Sequence, residues 1–179
     1  MAATYIMRVA AATNAINKTY FTLFNGSGSS KIIRVYKIYT NPISSAAVTG
    51  GFGIYILDKF TGTPGGGAAI TWVKQDTASA AVPVQITALN GNTSITGSLT
   101  TAGVLRQICR SNDEPAVSSL TVDELQNLYP LNIIWDGGYG DSNVEPIVLR
   151  ETEGLRMYST NAGTWGASTM DISLICTIT

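Results

Sequence analysis

The chain contains the stretch Phe24-Asn-Gly-Ser-Gly-Ser-Ser30, which leads directly into Lys31-Ile-Ile-Arg-Val-Tyr-Lys-Ile-Tyr39. A cluster of Gly, Ser and Asn followed by a mostly apolar, β-branched run is typical of a tight turn that enters a long strand. A later stretch, Glu145-Pro-Ile-Val-Leu-Arg-Glu-Thr-Glu-Gly-Leu155, has the same character, because its apolar runs are short and bounded by Pro and Gly. Both stretches predict strands between turns, and therefore β structure.

The predicted long strand has two partly apolar faces. Strict alternation places Ile33, Val35, Lys37 and Tyr39 on one face and Ile32, Arg34, Tyr36 and Ile38 on the other. Such a strand is typical of a central position, with one face in the core and the other against a neighbouring layer or subunit. We therefore expect part of this strand to take part in self-association.

The rest of the chain shows the same rhythm of short apolar runs, with turns about every ten to fifteen residues, as in a sandwich or jelly roll. We predict an all-β protein, a jelly-roll-like antiparallel β-sandwich, formed by residues 16–179 as a single domain. Residues 1–15 are Ala-rich and lack turn residues, which predicts an N-terminal arm or a first edge strand. One short helix is expected at 121–128, where Thr121 and Glu124 form a capping-box pattern and Pro130 ends the segment.

The composition limits the classes of partner. Of the 179 residues only 13% are charged, and the net charge is −1 with a pI near 5.3. Nucleic-acid binding requires clustered Lys and Arg, so no nucleic-acid partner is expected. The apolar runs are far shorter than the ~20 residues of a membrane-spanning helix, and Arg8 interrupts the N-terminal apolar stretch, so we expect neither a membrane partner nor a secretory signal.

The chain contains no histidine, which excludes Ser-His-Asp and Cys-His catalysis and the commonest zinc ligand. We therefore predict that the protein is not an enzyme and holds no catalytic metal or cofactor. Acidic side chains that could form a glycosidase pair are interpreted as turn and loop residues; they are Asp136, Asp141, Glu145, Glu151 and Glu153. Cys109 and Cys176 lie in apolar runs and are expected to be buried free thiols, with a disulfide as the alternative if their strands adjoin.

The loop 136–145 is rich in oxygen ligands, namely Asp136, Asp141, Asn143 and Glu145. Ca²⁺ binds six to eight such ligands, but the spacing does not match an EF-hand. We interpret the segment as a turn-rich loop, with a calcium or ligand site as the alternative. Trp165 is a candidate for stacking on a sugar beside this loop, although aromatic residues in strand patterns more often belong to the core.

The two opening stretches, with the Asn41-Pro42 and Thr49-Gly50 turns between them, resemble small structural proteins of tailed bacteriophages. The resemblance covers most of the chain from about residue 15, and its motifs are structural, so it brings no active site. Proteins of this kind look like jelly rolls that decorate or cement the outside of heads, often as trimers. The resemblance implies a homotrimer that contacts the major capsid protein or another virion protein, located in virions assembled in the host cytoplasm.

We therefore expect a non-enzymatic virion structural protein, a head decoration protein that stabilises the coat lattice. The expected self-association residues are Tyr36, Ile38 and Tyr39, and the expected coat-attachment residues are Tyr5, Ile6 and Val9 in the arm. One alternative is a carbohydrate- or receptor-binding β module of a tail or fibre, with Trp165 and loop 136–145 as its site. The other is a self-assembling extracellular filament subunit.

Overall fold

The computed structural model describes residues 3–42, 51–91, 96–112, 132–138, 145–164 and 169–179. In this part of the chain every regular element is a strand. The strands are β1 (Ala3–Thr13), β2 (Thr19–Asn25), β3 (Ile33–Pro42), β4 (Gly51–Thr61), β5 (Pro64–Gly65), β6 (Ala68–Ala69), β7 (Trp72–Lys74), β8 (Ile86–Asn90), β9 (Thr96–Gly97), β10 (Thr100–Asn112), β11 (Asn132–Asp136), β12 (Ile147–Leu149), β13 (Glu153–Thr164) and β14 (Thr169–Ile178).

The strands form two six-stranded antiparallel sheets with the connectivity of a jelly roll, and β5 and β9 form a separate two-stranded pair. Sheet I has the order β11-β3-β14-β1-β7, with β12 also paired to β3, and sheet II has the order β10-β4-β13-β2-β8-β6. Successive long strands lie mostly in alternate sheets. Strands β1, β3, β11 and β14 belong to sheet I, and strands β2, β4, β10 and β13 belong to sheet II. This two-sheet order confirms the predicted antiparallel β-sandwich and is that of a double-Greek-key jelly roll.

The hydrophobic core lies between the two sheets. Sheet I contributes alternate residues of each strand, such as Met7 and Leu174, and sheet II contributes residues such as Leu23 and Leu155, all with no exposed surface. Each such side chain stabilises the fold by about 1.5–3 kcal/mol relative to an exposed position. Strand β2 is buried at every position and lies inside sheet II between β13 and β8.

The two sequence stretches that predicted the fold are joined by one cluster of hydrogen bonds. The Asn25 side-chain amide donates to the carbonyls of Lys31 (2.8 Å) and Leu149 (3.2 Å), and its oxygen accepts from the Ser29 hydroxyl (2.6 Å). The Glu151 carboxylate accepts from the Ser30 amide at 2.6 Å, across the same turn. The turn at 26–30 therefore fixes both the start of β3 and the connection from β12 to β13.

The structure corrects the expectation of an N-terminal arm, and the expected helix falls on residues that are not described. Residues 3–13 are not a detached arm, because they form β1, which pairs with β14 along its length and with β7 at residues 5–7. This strand lies inside sheet I, not at its edge. The helix expected at 121–128 lies outside the described residues.

Candidate functional site

A β-bulge in β3 decides which of the predicted interface residues face outward. Val35 pairs with Cys176 and Lys37 with Ile175, so Tyr36 is an extra residue between them. An extra residue reverses the alternation beyond it, because side chains along a strand have a period of two. Ile38 is therefore fully buried in the core, whereas Tyr36 and Tyr39 are half-buried on the outer face of sheet I. The expectation that Ile38 belongs to an oligomer interface is wrong for this reason.

The residues predicted to attach to the coat also divide between two faces. Tyr5 and Val9 are 3% and 1% exposed and pack in the core, and the Tyr5 hydroxyl donates to the Ala80 carbonyl at 2.9 Å. Burial raises the pKa of Tyr5, since its anion would lose solvation. These two residues cannot form an attachment surface in the folded chain, which corrects the expectation. Ile6 alone of the three points outward, half-buried.

The outer face of sheet I carries apolar side chains on five of its strands. Ile6 pairs with both Val73 and Ile175, and Ile175 pairs with Lys37. Directly paired residues share a face, so these side chains form one row across four strands. We call the outward set the apolar stripe, which comprises Val73, Ile6, Ile175, Tyr36, Tyr39 and Ile133.

The apolar stripe remains open to solvent at its two ends. Val73 on β7 is 53% exposed, and Ile133 on β11 is 42% exposed. Between them, Ser173 and Thr177 on the outer side of β14 are only 8% and 6% exposed. A group of apolar side chains on the outer face of one sheet is a feature of many interaction surfaces.

Charged side chains border the apolar stripe. Arg8 forms an ion pair with Asp171, whose other oxygen accepts from the Ala11 amide at 2.8 Å. The hydrogen bond to Asp171 raises the pKa of Arg8, and the carboxylate charge adds to this effect. On the opposite side the Lys37 ammonium lies 3.6 Å from the Asp136 carboxylate. Exposed ion pairs of this kind add little stability.

The predicted ligand loop leaves sheet I at the β3 bulge. The Gly137 amide donates to the Tyr36 carbonyl at 2.6 Å, and the Gly138 amide donates to the Asp136 carboxylate at 3.1 Å. Glu145, at the other end of the loop, is exposed. The remaining predicted ligands, Asp141, Asn143 and Trp165, lie outside the described residues. Within the described ranges, no three His, Cys, Asp or Glu side chains are grouped so as to hold a metal ion.

Sheet II buries one ion pair on its outer side. Asp58 has no exposed surface and receives two hydrogen bonds from the Arg156 guanidinium, at 3.1 and 2.6 Å, and one from Thr101 at 3.1 Å. Burial alone would lower the pKa of Arg156, but the hydrogen bonds and charge of Asp58 outweigh it and raise the value. The guanidinium also lies over the Tyr158 ring, 4.4 Å from its centre. With its oxygens occupied in this way, Asp58 is placed to bind β4, β10 and β13 together, which is a structural role.

A cleft of about 610 Å³ lies where β1 begins and β14 ends, against the loop that follows β7. Its charged lining residues are Lys31 and Asp76, and the Asp76 carboxylate already accepts from the Ala78 amide at 2.9 Å.

The expectation that both cysteines are buried free thiols is confirmed for Cys176 and wrong for Cys109. Both are free, but Cys109 is exposed whereas Cys176 is buried, and burial raises the pKa of Cys176 to about 12.

Three members of the apolar stripe were not identified from the sequence, namely Val73, Ile175 and Ile133. For Ile175 the sequence does contain a signal of an outward apolar residue. Asp171, Ser173 and Thr177 alternate with apolar residues, and Ile175 stands in that polar series. Which residues surround Ile175 depends on the neighbouring strands, which place Ile6 on one side and Lys37 on the other. The order of the strands in the sheet decides these neighbours, and the local sequence pattern does not contain that order.

Comparison with protein families, with curated proteins and with solved structures finds no match to this chain. Among the described residues, no helix has the length and apolar character required to cross a membrane.

Proposed function

We propose that this protein is a non-enzymatic structural component of a virion, a head decoration protein that binds the outside of a tailed-phage coat lattice. The observation that carries the proposal is the apolar stripe on the outer face of sheet I, in a chain with few charged residues. A rigid sandwich that presents apolar side chains on one outer face is suited to binding other folded surfaces, and its repetition in an assembly multiplies weak contacts through effective concentration.

The outer surfaces of the two sheets differ in a way that suits a role between two partners. Sheet I presents the apolar stripe, whereas sheet II presents the exposed strand residues Val104, Gln107 and Cys109 beside its buried Asp58–Arg156 pair. A protein that self-associates through one face keeps the other available for a coat protein. We propose the same location as the sequence implied, in virions assembled in the host cytoplasm.

The test of this role is the protein's abundance in purified particles. Virus particles from a lysate in which the protein is made are separated on a density gradient, and the ratio of this protein to the coat protein is measured across the particle band. We expect a constant ratio through the band and its loss after the particles are dissociated. A ratio that varies from fraction to fraction, or absence from the band, would overturn the proposal.

The cleft between β1, β14 and the loop after β7 favours one second candidate, a ligand-binding β module. Its volume falls within the ~300–1,000 Å³ range of small-molecule sites, and Lys31 and Asp76 offer one charge of each sign. A glycan array probed with the purified chain tests this candidate. Binding that is lost in an Asp76→Ala variant would favour a receptor-binding role over decoration.

A further inference from the structure

We propose that the cleft between β1, β14 and the loop after β7 binds a short acidic oligosaccharide, and that the Lys31 ammonium holds the carboxylate of the sugar. This ligand class deepens the second candidate function, on which it rests, and it does not depend on the decoration role. The cleft measures about 610 Å³ and carries one cationic and one anionic side chain, Lys31 and Asp76.

Backbone hydrogen bonds hold both walls of the cleft in place. On one wall, the Gln75 amide at the start of the loop donates to the Thr4 carbonyl of β1 at 3.0 Å. On the other wall, Ile32 and Thr179 exchange two backbone hydrogen bonds, at 3.0 and 3.1 Å, directly beside Lys31. A site whose walls are already fixed loses little conformational entropy when it binds a ligand.

The two charged side chains of the cleft are unpaired. Within the described residues, neither Lys31 nor Asp76 forms an ion pair, whether with each other or with another side chain. One oxygen of Asp76 accepts from the Ala78 amide at 2.9 Å, which leaves its other oxygen for a ligand. The Lys31 side chain is exposed, and an ammonium group forms its strongest hydrogen bonds with an anionic acceptor such as a carboxylate.

The order of the strands separates the two charges by more than one sugar ring. Lys31 precedes β3 and Asp76 follows β7, and β14 and β1 lie between these two strands in sheet I. Three strand spacings of about 4.8 Å place the two backbone segments roughly 14 Å apart. A ligand of linked sugar rings spans this distance, with its carboxylate at Lys31 and hydroxyl groups at Asp76.

The loop after β7 offers both donors and acceptors to such a ligand. In the part of the chain that the structure describes, the amides of Ala80 and Ala81 have no acceptor, and the carbonyls of Ala78 and Ala81 have no donor. Sugar hydroxyls both donate and accept hydrogen bonds, so they can pair with both kinds of backbone group. Pro83 and Ile178 add small apolar surfaces to the lining, against which the C–H faces of sugar rings can pack.

The test begins with a glycan array that carries neutral oligosaccharides beside oligosaccharides with a uronic or sialic acid. The purified chain should bind acidic members. The acidic glycan that binds most tightly is then titrated by calorimetry beside its carboxyl-reduced form, in which a hydroxymethyl group replaces the carboxylate. We expect the acidic form to bind about tenfold more tightly, because charge-assisted hydrogen bonds are the stronger ones. This preference should shrink as the ionic strength rises, because salt screens exposed charges.

Substitutions in the cleft separate the roles of its two charges. Lys31→Gln should lower the affinity for the acidic glycan to that of the carboxyl-reduced form, whereas Lys31→Arg should retain the preference. Asp76→Ala should weaken both forms by a similar factor, because it removes an acceptor of hydroxyl groups. The matched control is Lys37→Gln, at a lysine on the outer face of sheet I, which should leave both affinities within about twofold.

Absence of acidic glycans from the bound set, equal affinity for the acidic and carboxyl-reduced forms, or equal effects of Lys31→Gln and Lys37→Gln would overturn the proposal. Binding of neutral glycans alone, lost in Asp76→Ala, would keep the second candidate function and overturn the acidic ligand. The density-gradient measurement is independent of these results, so a decoration protein without this site would keep its proposed role in the virion.

Discussion

The side-chain amide of Asn25 donates a hydrogen bond to the backbone carbonyl of Leu149, 3.2 Å away and 124 residues later in the chain. The same amide donates to the Lys31 carbonyl at 2.8 Å, and Asn25 has no exposed surface. One side chain therefore satisfies backbone groups on both connections that flank the turn at 26–30. A buried carbonyl that loses its donor costs about 1–3 kcal/mol, so we expect loss of the Asn25 side chain to lower the free energy of unfolding.

Replacement of Asn25 should reveal that dependence. Asn25→Ala removes the donor to both carbonyls and the acceptor of the Ser29 hydroxyl, and we expect the free energy of unfolding to fall by about 2–4 kcal/mol. Urea denaturation measures the change. Asn41→Ala, at an exposed position of β3, is the control and should stay within about 0.5 kcal/mol. Equal effects of the two substitutions would show that the turn cluster is not a stabilising element.

Gly154 is expected to tolerate no side chain. A Cβ at this position would overlap the ring of Phe60, which is fully buried and stacks on Phe24 with ring centres 6.1 Å apart. Gly154→Ala should therefore cost about 1–3 kcal/mol through overpacking. Gly103→Ala, where a Cβ would meet nothing within 4 Å, is the matched control. Thermal unfolding that ranks the two variants equally would contradict this account.

Stability should decline in acid partly through Glu153. Burial alone would raise the pKa of this carboxyl, but hydrogen bonds from the Arg150 amide and Lys59, together with their charges, hold it below its usual 4.5. The unfolded chain therefore takes up a proton first as the pH falls. The stabilisation is complete above pH 4.5 and disappears as the pH falls through the lower value of the folded state.

The check is the loss of unfolding free energy between pH 7 and pH 3. The loss should be smaller in Glu153→Gln than in the native chain, because the amide does not titrate. Glu145→Gln, at an exposed position, should resemble the native chain. An unchanged pH dependence in Glu153→Gln would remove Glu153 from the explanation.

The thiols should differ sharply in reactivity. Cys109 is exposed, whereas Cys176 has no exposed surface and a pKa raised to about 12 by burial. Because the thiolate is the nucleophile, an aromatic disulfide reagent at pH 8 should modify one thiol per native chain and two per chain in guanidinium. Modification of both thiols without denaturant would mean that the β1–β14 pair opens readily.

The parts of the fold that follow from local pattern could be predicted from the sequence. The turn at 26–30, the strand after it and the strands at 145–155 all lie where the sequence predicts them. The regular alternation of short apolar runs and turns predicted the sandwich class correctly. The outward surface could not be predicted in the same way. The bulge at Tyr36 arises where β3 meets β14 and where the loop after β11 leaves the sheet, so a strict alternation assigned Ile38 to the wrong face.

The N-terminal strand is a different case, because its signal is present in the sequence. Tyr5, Met7 and Val9 alternate with Thr4 and Arg8, which is the pattern of a strand with one buried face. The Ala-rich surroundings led to the expectation of an arm, since alanine supplies little contrast between faces. Ile6 weakens the alternation further, because it is an apolar residue on the outer face, within the apolar stripe.

Deletion of residues 2–12 should prevent folding, for the same structural reason. The deletion removes Tyr5, Met7 and Val9 from the core, where each is at most 3% exposed, and leaves one edge of β14 without a partner strand. Large core side chains contribute about 2–5 kcal/mol each, and the total stability of a domain is only about 5–15 kcal/mol. We expect the truncated chain to lack a cooperative thermal transition and to bind a hydrophobic dye strongly. Arg8→Ala, which changes β1 only at its outer face, should retain a cooperative transition within a few degrees of the native chain. If the truncated chain unfolds cooperatively at nearly the native temperature, β1 is dispensable and the core must close without it.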